Sequence, residues 1–249
     1  MVKPLLYISY GMPKSGSTLA YQLARAVAEA SGAPQVQAPL NAIRDSSANF
    51  VEVIRPKELD ALLEYAETRA PGTPVVIKTH SGLWKCVEEA MEEGLVIGHA
   101  ICRDPRDIAL SMMDASRDGR AWGRRHGEPI RHIEDALEAV RGNAVKFEKW
   151  AAHPAIIPFA YPRVAFGSEE VIARIAGQLG VEVDAKRLAV LAKKGGTNFN
   201  KGVHRRHEKE LSQPVAERIA AEFANFIETY CDDDFAPPKR GLLNRLGLR

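Results

Sequence analysis

Short apolar runs alternate with longer amphipathic stretches along most of the chain. The short runs predict buried strands, and they are LLYISY at 5–10, VVIKT at 75–79, VIGHAIC at 96–102 and AIIPFAY at 155–161. The longer stretches have apolar residues at helical spacing and predict helices over 18–30, 57–69, 84–93, 105–117, 132–152, 168–179, 184–193 and 214–230. Strands that alternate with helices in this way form a parallel sheet with helices on both faces. The pattern therefore predicts an α/β fold with three layers, α/β/α, around a central parallel β-sheet, in one domain over residues 1–249.

The composition is that of an ordinary globular protein. The chain has 249 residues, of which 45% are hydrophobic and 27% are charged, and its net charge is +2. A charge this small argues against general nucleic-acid binding, so any basic site must be local. Cys86, Cys102 and Cys231 are an odd number and lie far apart, which argues against a disulfide framework or a zinc site and favours reduced thiols.

Neither a signal peptide nor a membrane span is predicted. The first apolar run is too short for a signal peptide, and no run reaches the roughly 18 apolar residues of a spanning helix. We therefore expect a cytoplasmic protein. Residues 237–249 begin with a Pro-Pro pair and form a short basic tail, for which a frayed or packed tail and a helix on a membrane surface both remain open.

The stretch GMPKSGST links the first predicted strand to the first helix. Gly11 and Gly16 have the separation of the two glycines in a Walker A loop, and Ser17 and Thr18 open a helix whose amides favour an anion. A Walker A loop has lysine directly after its second glycine, whereas this chain has Ser17 there and carries Lys14 inside the loop. The stretch therefore predicts an anion site unlike that of an ATPase, and its lysine, hydroxyl and amide donors suit a phosphosulfate.

A second anion site is predicted in ICRDPRDIALSMMDASR. Arg103 stands at the carboxyl end of a predicted strand, Asp104 caps the next helix, and Pro105 occupies its first position. Ser111 follows about two turns along that helix, on a stripe that otherwise turns inward. A small polar residue on such a stripe needs a polar partner.

With these residues the sequence resembles sulfotransferases that use 3'-phosphoadenosine 5'-phosphosulfate (PAPS). GMPKSGST is similar to the family's 5'-phosphosulfate loop, CRDPRDIALS to its 3'-phosphate motif, and VIKTH to the strand end that bears its catalytic histidine. FNKGVHRRHEKELS, from Phe199, is similar to the Lys-Gly loop that closes over the 3'-phosphate. The resemblance extends from about residue 5 to residue 230 and implies a P-loop-like fold.

The resemblance also implies roles for individual residues. His80 would be the general base, Lys14 would stabilise the leaving phosphate, and Lys78 would assist, although a strand-end lysine can also be simply solvated. The 5' group would be bound by Lys14 with Ser15, Gly16, Ser17 and Thr18. The rest of the nucleotide would be bound by Arg103, Ser111, Tyr161, Lys201 and Gly202. No metal is expected, because lysines and amide donors can replace the magnesium clamp of a kinase.

The sequence departs from the family pattern at a few positions. Asn200 stands where an arginine is common, and Arg205 and His207 replace a later glycine and tryptophan. Leu19 replaces a tryptophan that often packs on the adenine. For His204 and His207, with the nearby Glu208, a metal pair is less plausible than nucleotide-facing or exposed side chains.

The acceptor is expected to be a small molecule or a carbohydrate with a reactive hydroxyl or amine. Residues 32–54 and 119–131 have no regular pattern and are long enough to be functional loops. The second loop, with Arg120, Trp122, Arg124, Arg125 and His126, is either solvated or an acceptor gate, and residues 36–54 would form the facing wall. A homodimer is compatible with the sequence.

Two other functions remain open at this point. An ATP-dependent P-loop phosphotransferase is opposed by Ser17 at the Walker lysine position and by the pair of Arg103 and Ser111. A non-catalytic nucleotide-binding module is opposed by the presence of His80, Lys14 and Lys78 together. His99, inside a predicted strand, is expected to be a core residue rather than a site residue.

Overall fold

A computed structural model describes residues 3–32, 35, 49–69, 72, 74–120, 124–125, 128–194 and 203–231. The strands are β1 Leu6–Gly11, β2 Phe50–Val51, β3 Val75–Thr79, β4 Val96–Cys102, β5 Arg124–Arg125, β6 Glu128–Pro129 and β7 Ile156–Ala160. The helices are α1 Ser17–Ala30, α2 Pro56–Arg69, α3 Lys85–Glu92, α4 Pro105–Arg117, α5 Ile133–Ala151, α6 Tyr161–Phe166, α7 Ser168–Leu179, α8 Ala185–Lys194, α9 His207–Glu210, α10 Gln213–Glu222 and α11 Ala224–Phe226, followed by a π-helical segment over Ile227–Cys231.

The main sheet has five parallel strands in the order β2-β3-β1-β4-β7. β1 lies in the centre, where it pairs with β3 from Leu6 opposite Val75 and with β4 from Leu6 opposite Val96. The carboxyl ends of these three strands therefore meet at one edge of the sheet. In open α/β sheets this edge is where ligands bind.

Each face of the sheet is covered by its own helices, so the predicted three-layer α/β/α fold is confirmed. Alternate residues of β1 point to opposite faces. Leu6, Ile8 and Tyr10 belong to the core under α2, α3, α4 and α5, whereas Tyr7 belongs to the core under α1, α7 and α8. Because both faces are buried, the strands read as continuous apolar runs.

The structure differs from the predicted elements in several places, and α9, over His207–Glu210, is a helix that was not predicted. β2 lies within the stretch 32–54, and β5 and β6 form a two-residue antiparallel pair within 119–131, so neither stretch is wholly irregular. The helix predicted over 214–230 is interrupted at Phe223 and ends as a π-helix. The last predicted strand ends at Ala160, so Tyr161 is the first residue of α6 and not a strand residue.

His99 is a core residue of β4, as predicted. It is fully buried, with its Nε2 2.9 Å from Ser9 Oγ and its Nδ1 3.2 Å from the hydroxyl of Tyr7. Burial lowers the pKa of His99 from 6.5 to about 3. The imidazole is therefore neutral in the folded protein across the physiological range.

The low pKa of His99 predicts acid sensitivity of the fold. Between pH 6.5 and about 3 the unfolded chain binds a proton at this position that the folded chain does not, so the free energy of unfolding falls as the pH falls through this window. Replacing His99 by Gln removes this difference of up to one bound proton. The slope of the free energy of unfolding against pH should therefore decrease by up to about 1.4 kcal/mol per pH unit. Urea denaturation of both proteins at several pH values measures the free energy of unfolding against pH. Equal slopes for the two proteins would contradict the low pKa of His99.

Candidate active site

The loop between β1 and α1 is a tight turn with two left-handed residues. Lys14 has φ 68° and Gly16 has φ 86°. Ser15 is buried, and both its backbone N–H and its hydroxyl donate to the carbonyl of Met12, at 3.1 and 2.7 Å. In this structure the Ser15 hydroxyl therefore shapes the loop. Left-handed backbone is rare for a lysine and marks a functional constraint when the surrounding structure holds it.

The loop has no room for a side chain at Gly16. A Cβ there would lie 2.9 Å from the ring of Tyr161, so the tyrosine packs directly on the loop. Gly16 precedes the first residue of α1, and no side chain among the described residues caps that helix end. The amides of the first turn and the positive end of the helix dipole are thus available to an anion.

His80 directly follows β3 and is held against the loop. Its side chain is only 8% exposed, its Nδ1–H donates to the carbonyl of Gly11, and its ring lies 5.2 Å from the ring of Phe50. A neutral imidazole with its proton on Nδ1 carries its lone pair on Nε2. The bond to Gly11 therefore selects Nε2 as the atom that can accept a proton.

The surroundings of His80 favour its neutral form. Burial, followed by the charges of Lys78 and Lys146, lowers the pKa of His80 to about 3, although the bond to Gly11 opposes this shift. The stem of Lys146 packs over Gly82 in the segment after His80. Trp150, also from α5, donates to the carbonyl of Ser81 at 3.0 Å and thereby fixes that segment against the sheet.

Lys78 is not a solvated strand-end lysine, so that alternative is wrong. Its side chain is buried, and its Nζ donates to Thr18 Oγ1 at 3.0 Å and lies 5.6 Å from the ring of Phe50. Thr18 is the second residue of α1. Lys78 therefore places a positive charge beside the uncapped helix end, next to His80.

Lys14, in the loop, adds another cation near the edge of the sheet where Lys78 lies. Partial burial, together with the charges of Arg120 and Arg103, lowers the pKa of the Lys14 ammonium, and Asp114 and Asp118 oppose the shift. Nearby cations favour loss of a proton from Lys14, whereas an anion bound in the loop would favour the charged form. The electrostatic field around Lys14 therefore favours binding of an anion.

Arg103 follows β4 directly, as expected, and Asp104 caps α4 by accepting from the backbone N–H of Arg106 at 2.9 Å. The guanidinium of Arg103 lies 4.2 Å over the ring of Tyr161. Its Nη2 donates to Asp107 at 2.9 Å and to the carbonyl of Val203 at 2.7 Å. Its Nε is buried and has no hydrogen-bond partner among the described residues.

Ser111 is buried on α4, two turns beyond Arg103. Two buried carboxylates that we did not predict as site residues lie on the same helix, Asp107 four residues before Ser111 and Asp114 three residues after it. That spacing was visible in the sequence as a polar stripe. Besides partners on α4 or next to it, the two carboxylates have distant partners, His207 and Arg206, about 100 residues away along the chain, and nothing in the sequence pairs them.

A cavity of about 540 Å³ adjoins Arg103 and Tyr161, a volume within the usual range for small-ligand pockets. Much of its polar lining is cationic or imidazole, and the lining residues that carry such groups are Arg103, Arg106, His204, Arg205 and His207. Two acids, Asp104 and Glu208, also line it and pair with Arg106 and Arg205. The cavity therefore extends from the strand ends to the segment that begins at Val203, with Arg103 and the histidines as its basic groups.

The structure thus brings together the loop from Lys14 to Thr18 with Lys78, His80, Arg103 and Tyr161, while Ser111 is buried on the helix that follows Arg103. Lys201 and Gly202 lie outside the described residues, as do Trp122, His126 and the tail 237–249. No helix in the described ranges is long and apolar enough to cross a membrane. Those ranges also contain no group of three or more side chains that could hold a metal ion.

Solved structures with this fold include sulfotransferases. Retinol dehydratase in complex with androsterone and inactive cofactor PAP superposes with a TM-score of 0.60 at 13% identity, over 96% of this chain and 84% of that one. Mouse sulfotransferase SULT7A1 complexed with PAP gives a TM-score of 0.57 at 15% identity, over 92% and 86%. At these identities the likeness establishes the fold alone.

Comparison of sequences gives a more specific result than comparison of folds. No curated protein sequence matches the chain. The model of the sulfotransferase domain matches residues 7–155, more than half of the chain. This range runs from β1 to the end of α5 and contains the loop with Lys14, the end of β3 with His80, and the Arg103 to Ser111 motif. The chain therefore belongs to the sulfotransferase domain family.

Proposed function

We propose that the protein transfers a sulfuryl group from PAPS to a hydroxyl or amine of a small-molecule or carbohydrate acceptor. The hydrogen bond from His80 to the carbonyl of Gly11 is the observation that carries this proposal. It joins a proton acceptor to the loop built for an anion. A base and a phosphosulfate loop held in contact are what this reaction requires, since the acceptor oxygen must lose a proton while it attacks sulfur.

The residues present fit the nucleotide. The 5'-phosphosulfate would lie over the uncapped end of α1, where the amides of Gly16, Ser17 and Thr18 and the ammonium of Lys14 are donors. The 3'-phosphate would be bound by Arg103, whose buried Nε has no partner among the described residues, and by Ser111. We also assign Lys201 and Gly202 to the 3'-phosphate and Ser15 and Tyr161 to the walls of the pocket.

Each side chain then has one task in the reaction. Nε2 of His80 takes the proton from the acceptor hydroxyl as its oxygen bonds to sulfur and the bond from sulfur to the bridging phosphate oxygen breaks. Negative charge grows on the leaving phosphate, and Lys14 and Lys78 stabilise it. The bound anion also raises the proton affinity of His80, which is low without it.

The role of His80 is tested by replacing it with Ala. Turnover with labelled PAPS should fall by roughly 10²- to 10⁴-fold, because a general base contributes about that much. Binding of adenosine 3',5'-bisphosphate should change little, because the proposal assigns His80 to the acceptor and not to the nucleotide. His153→Ala, in the turn before β7, is the matched control and should keep full turnover. Near-normal turnover in His80→Ala would contradict the assignment.

The left-handed backbone of Lys14 gives a second test, because stability and activity should move in opposite directions. In Lys14→Gly the strain is relieved, so the free energy of unfolding should rise by about 1 kcal/mol, while turnover should fall at least as far as in Lys14→Ala. Lys14→Ala keeps the strain and should show no gain. Denaturant unfolding and turnover of both variants are the measurements, and an active Lys14→Gly protein would exclude Lys14 from the chemistry.

A further inference from the structure

One face of α4 carries a buried polar stripe. Arg103 precedes the helix, and Asp107, Ser111 and Asp114 follow at spacings of four, four and three residues, which places them on one side. Their exposed fractions are 7%, 0%, 3% and 5%. Buried carboxylates are rare unless they are paired, so Asp107 and Asp114 must have compensating partners.

Asp107 joins Arg103 to the segment Val203–Glu210. Its Oδ2 accepts from Nη2 of Arg103 at 2.9 Å, and its Oδ1 lies 3.1 Å from the backbone nitrogen and 2.9 Å from Nδ1 of His207. Burial by itself raises the pKa of Asp107, but the His207 hydrogen bonds and the Arg103 charge outweigh it and hold the pKa well below its usual range. Asp107 is therefore charged in the folded protein.

Asp114 holds the neighbouring residue of the same segment. Its Oδ2 lies 2.8 Å from Nη2 of Arg206, which is 2% exposed and also binds Glu210 through Nε and Nη2 at 2.9 and 2.7 Å. Arg206 and His207 are consecutive in the chain, and they bind Asp114 and Asp107, two acids on the same face of α4. The segment Val203–Glu210 is docked by ionic contacts and not by apolar packing alone.

The same contacts determine which donors of Arg103 face a ligand. Nη2 is occupied twice, by Asp107 and by the carbonyl of Val203. Nε is buried without a partner among the described residues, although buried donors are almost always paired. Nη2 therefore acts as the fixed point of the guanidinium, and the adjacent Nε–H is left for an acceptor such as a phosphate oxygen.

We propose that Asp107 is a positioning residue: it orients Arg103 toward the 3'-phosphate of the nucleotide and, with Asp114, fixes the segment Val203–Glu210 against α4. This inference rests on the proposed function. It predicts that Asp107, which has the same charge sign as the ligand, nevertheless increases the preference for nucleotides that carry a 3'-phosphate. That preference is the quantity to measure.

The test is titration calorimetry of the full chain with adenosine 3',5'-bisphosphate and with adenosine 5'-phosphate. In Asp107→Asn the affinity for the bisphosphate should fall roughly tenfold, while that for the 5'-phosphate should stay within about twofold. A purely structural role would lower both affinities together. Asp107→Glu should restore part of the preference, because it returns the charge.

Two further variants complete the design. Glu134→Gln removes the carboxylate of an exposed pair with Arg218 and should leave both affinities unchanged. If Asp107→Asn does not fold, His207→Gln removes one ring contact to Asp107 and should lower the preference by about threefold. An unchanged preference in the folded variants, with wild type favouring the bisphosphate, overturns the inference and leaves the proposed function standing. Wild type that binds neither nucleotide overturns both.

Discussion

The site depends on the parallel pairing of β1 with both β3 and β4. This register places Gly11, His80 and Arg103 at the ends of three adjacent strands, although they are distant in the chain. A slip of one residue in either pair would turn the alternate side chains of β1 to the wrong core and would also separate the base from the loop. Fold stability and site geometry therefore rest on the same backbone hydrogen bonds.

A second constraint is electrostatic. The site collects Lys14, Lys78 and Arg103 within a small region, where like charges repel and burial costs free energy. The structure reduces this cost with specific partners: Thr18 for Lys78, and Asp107 for Arg103. These partners fix Lys78 and Arg103 in place, so in the proposed function the cations are positioned before an anion arrives. Such preorganisation is the usual source of electrostatic stabilisation in enzymes.

Much of the fold was predictable, because strands buried on both faces and amphipathic helices have strong local signals. α7 was predicted to the residue, and His99 was correctly placed in the core. β2 was missed because two residues are too short for a pattern, yet its Phe50 packs on His80. Tyr161 was assigned to a strand because local apolarity does not show where β7 ends and α6 begins.

The site was predictable where motifs are local and not where contacts are distant in the chain. The loop from Lys14 and the Arg103 to Ser111 motif carried enough spacing information to identify the family. The pairs between α4 and the segment after Val203 join residues about 100 positions apart, so no single stretch contains them. Arg205 illustrates the same limit: its φ is 53°, a left-handed conformation that favours glycine, and an arginine in the sequence gives no sign of it.

The most direct test of this account is calorimetric titration of the purified protein with adenosine 3',5'-bisphosphate and with ATP, each with and without magnesium. The account predicts tight binding of the bisphosphate that does not need the metal, together with weak binding of ATP. Preference for ATP in the presence of magnesium would contradict it and would indicate a phosphotransferase.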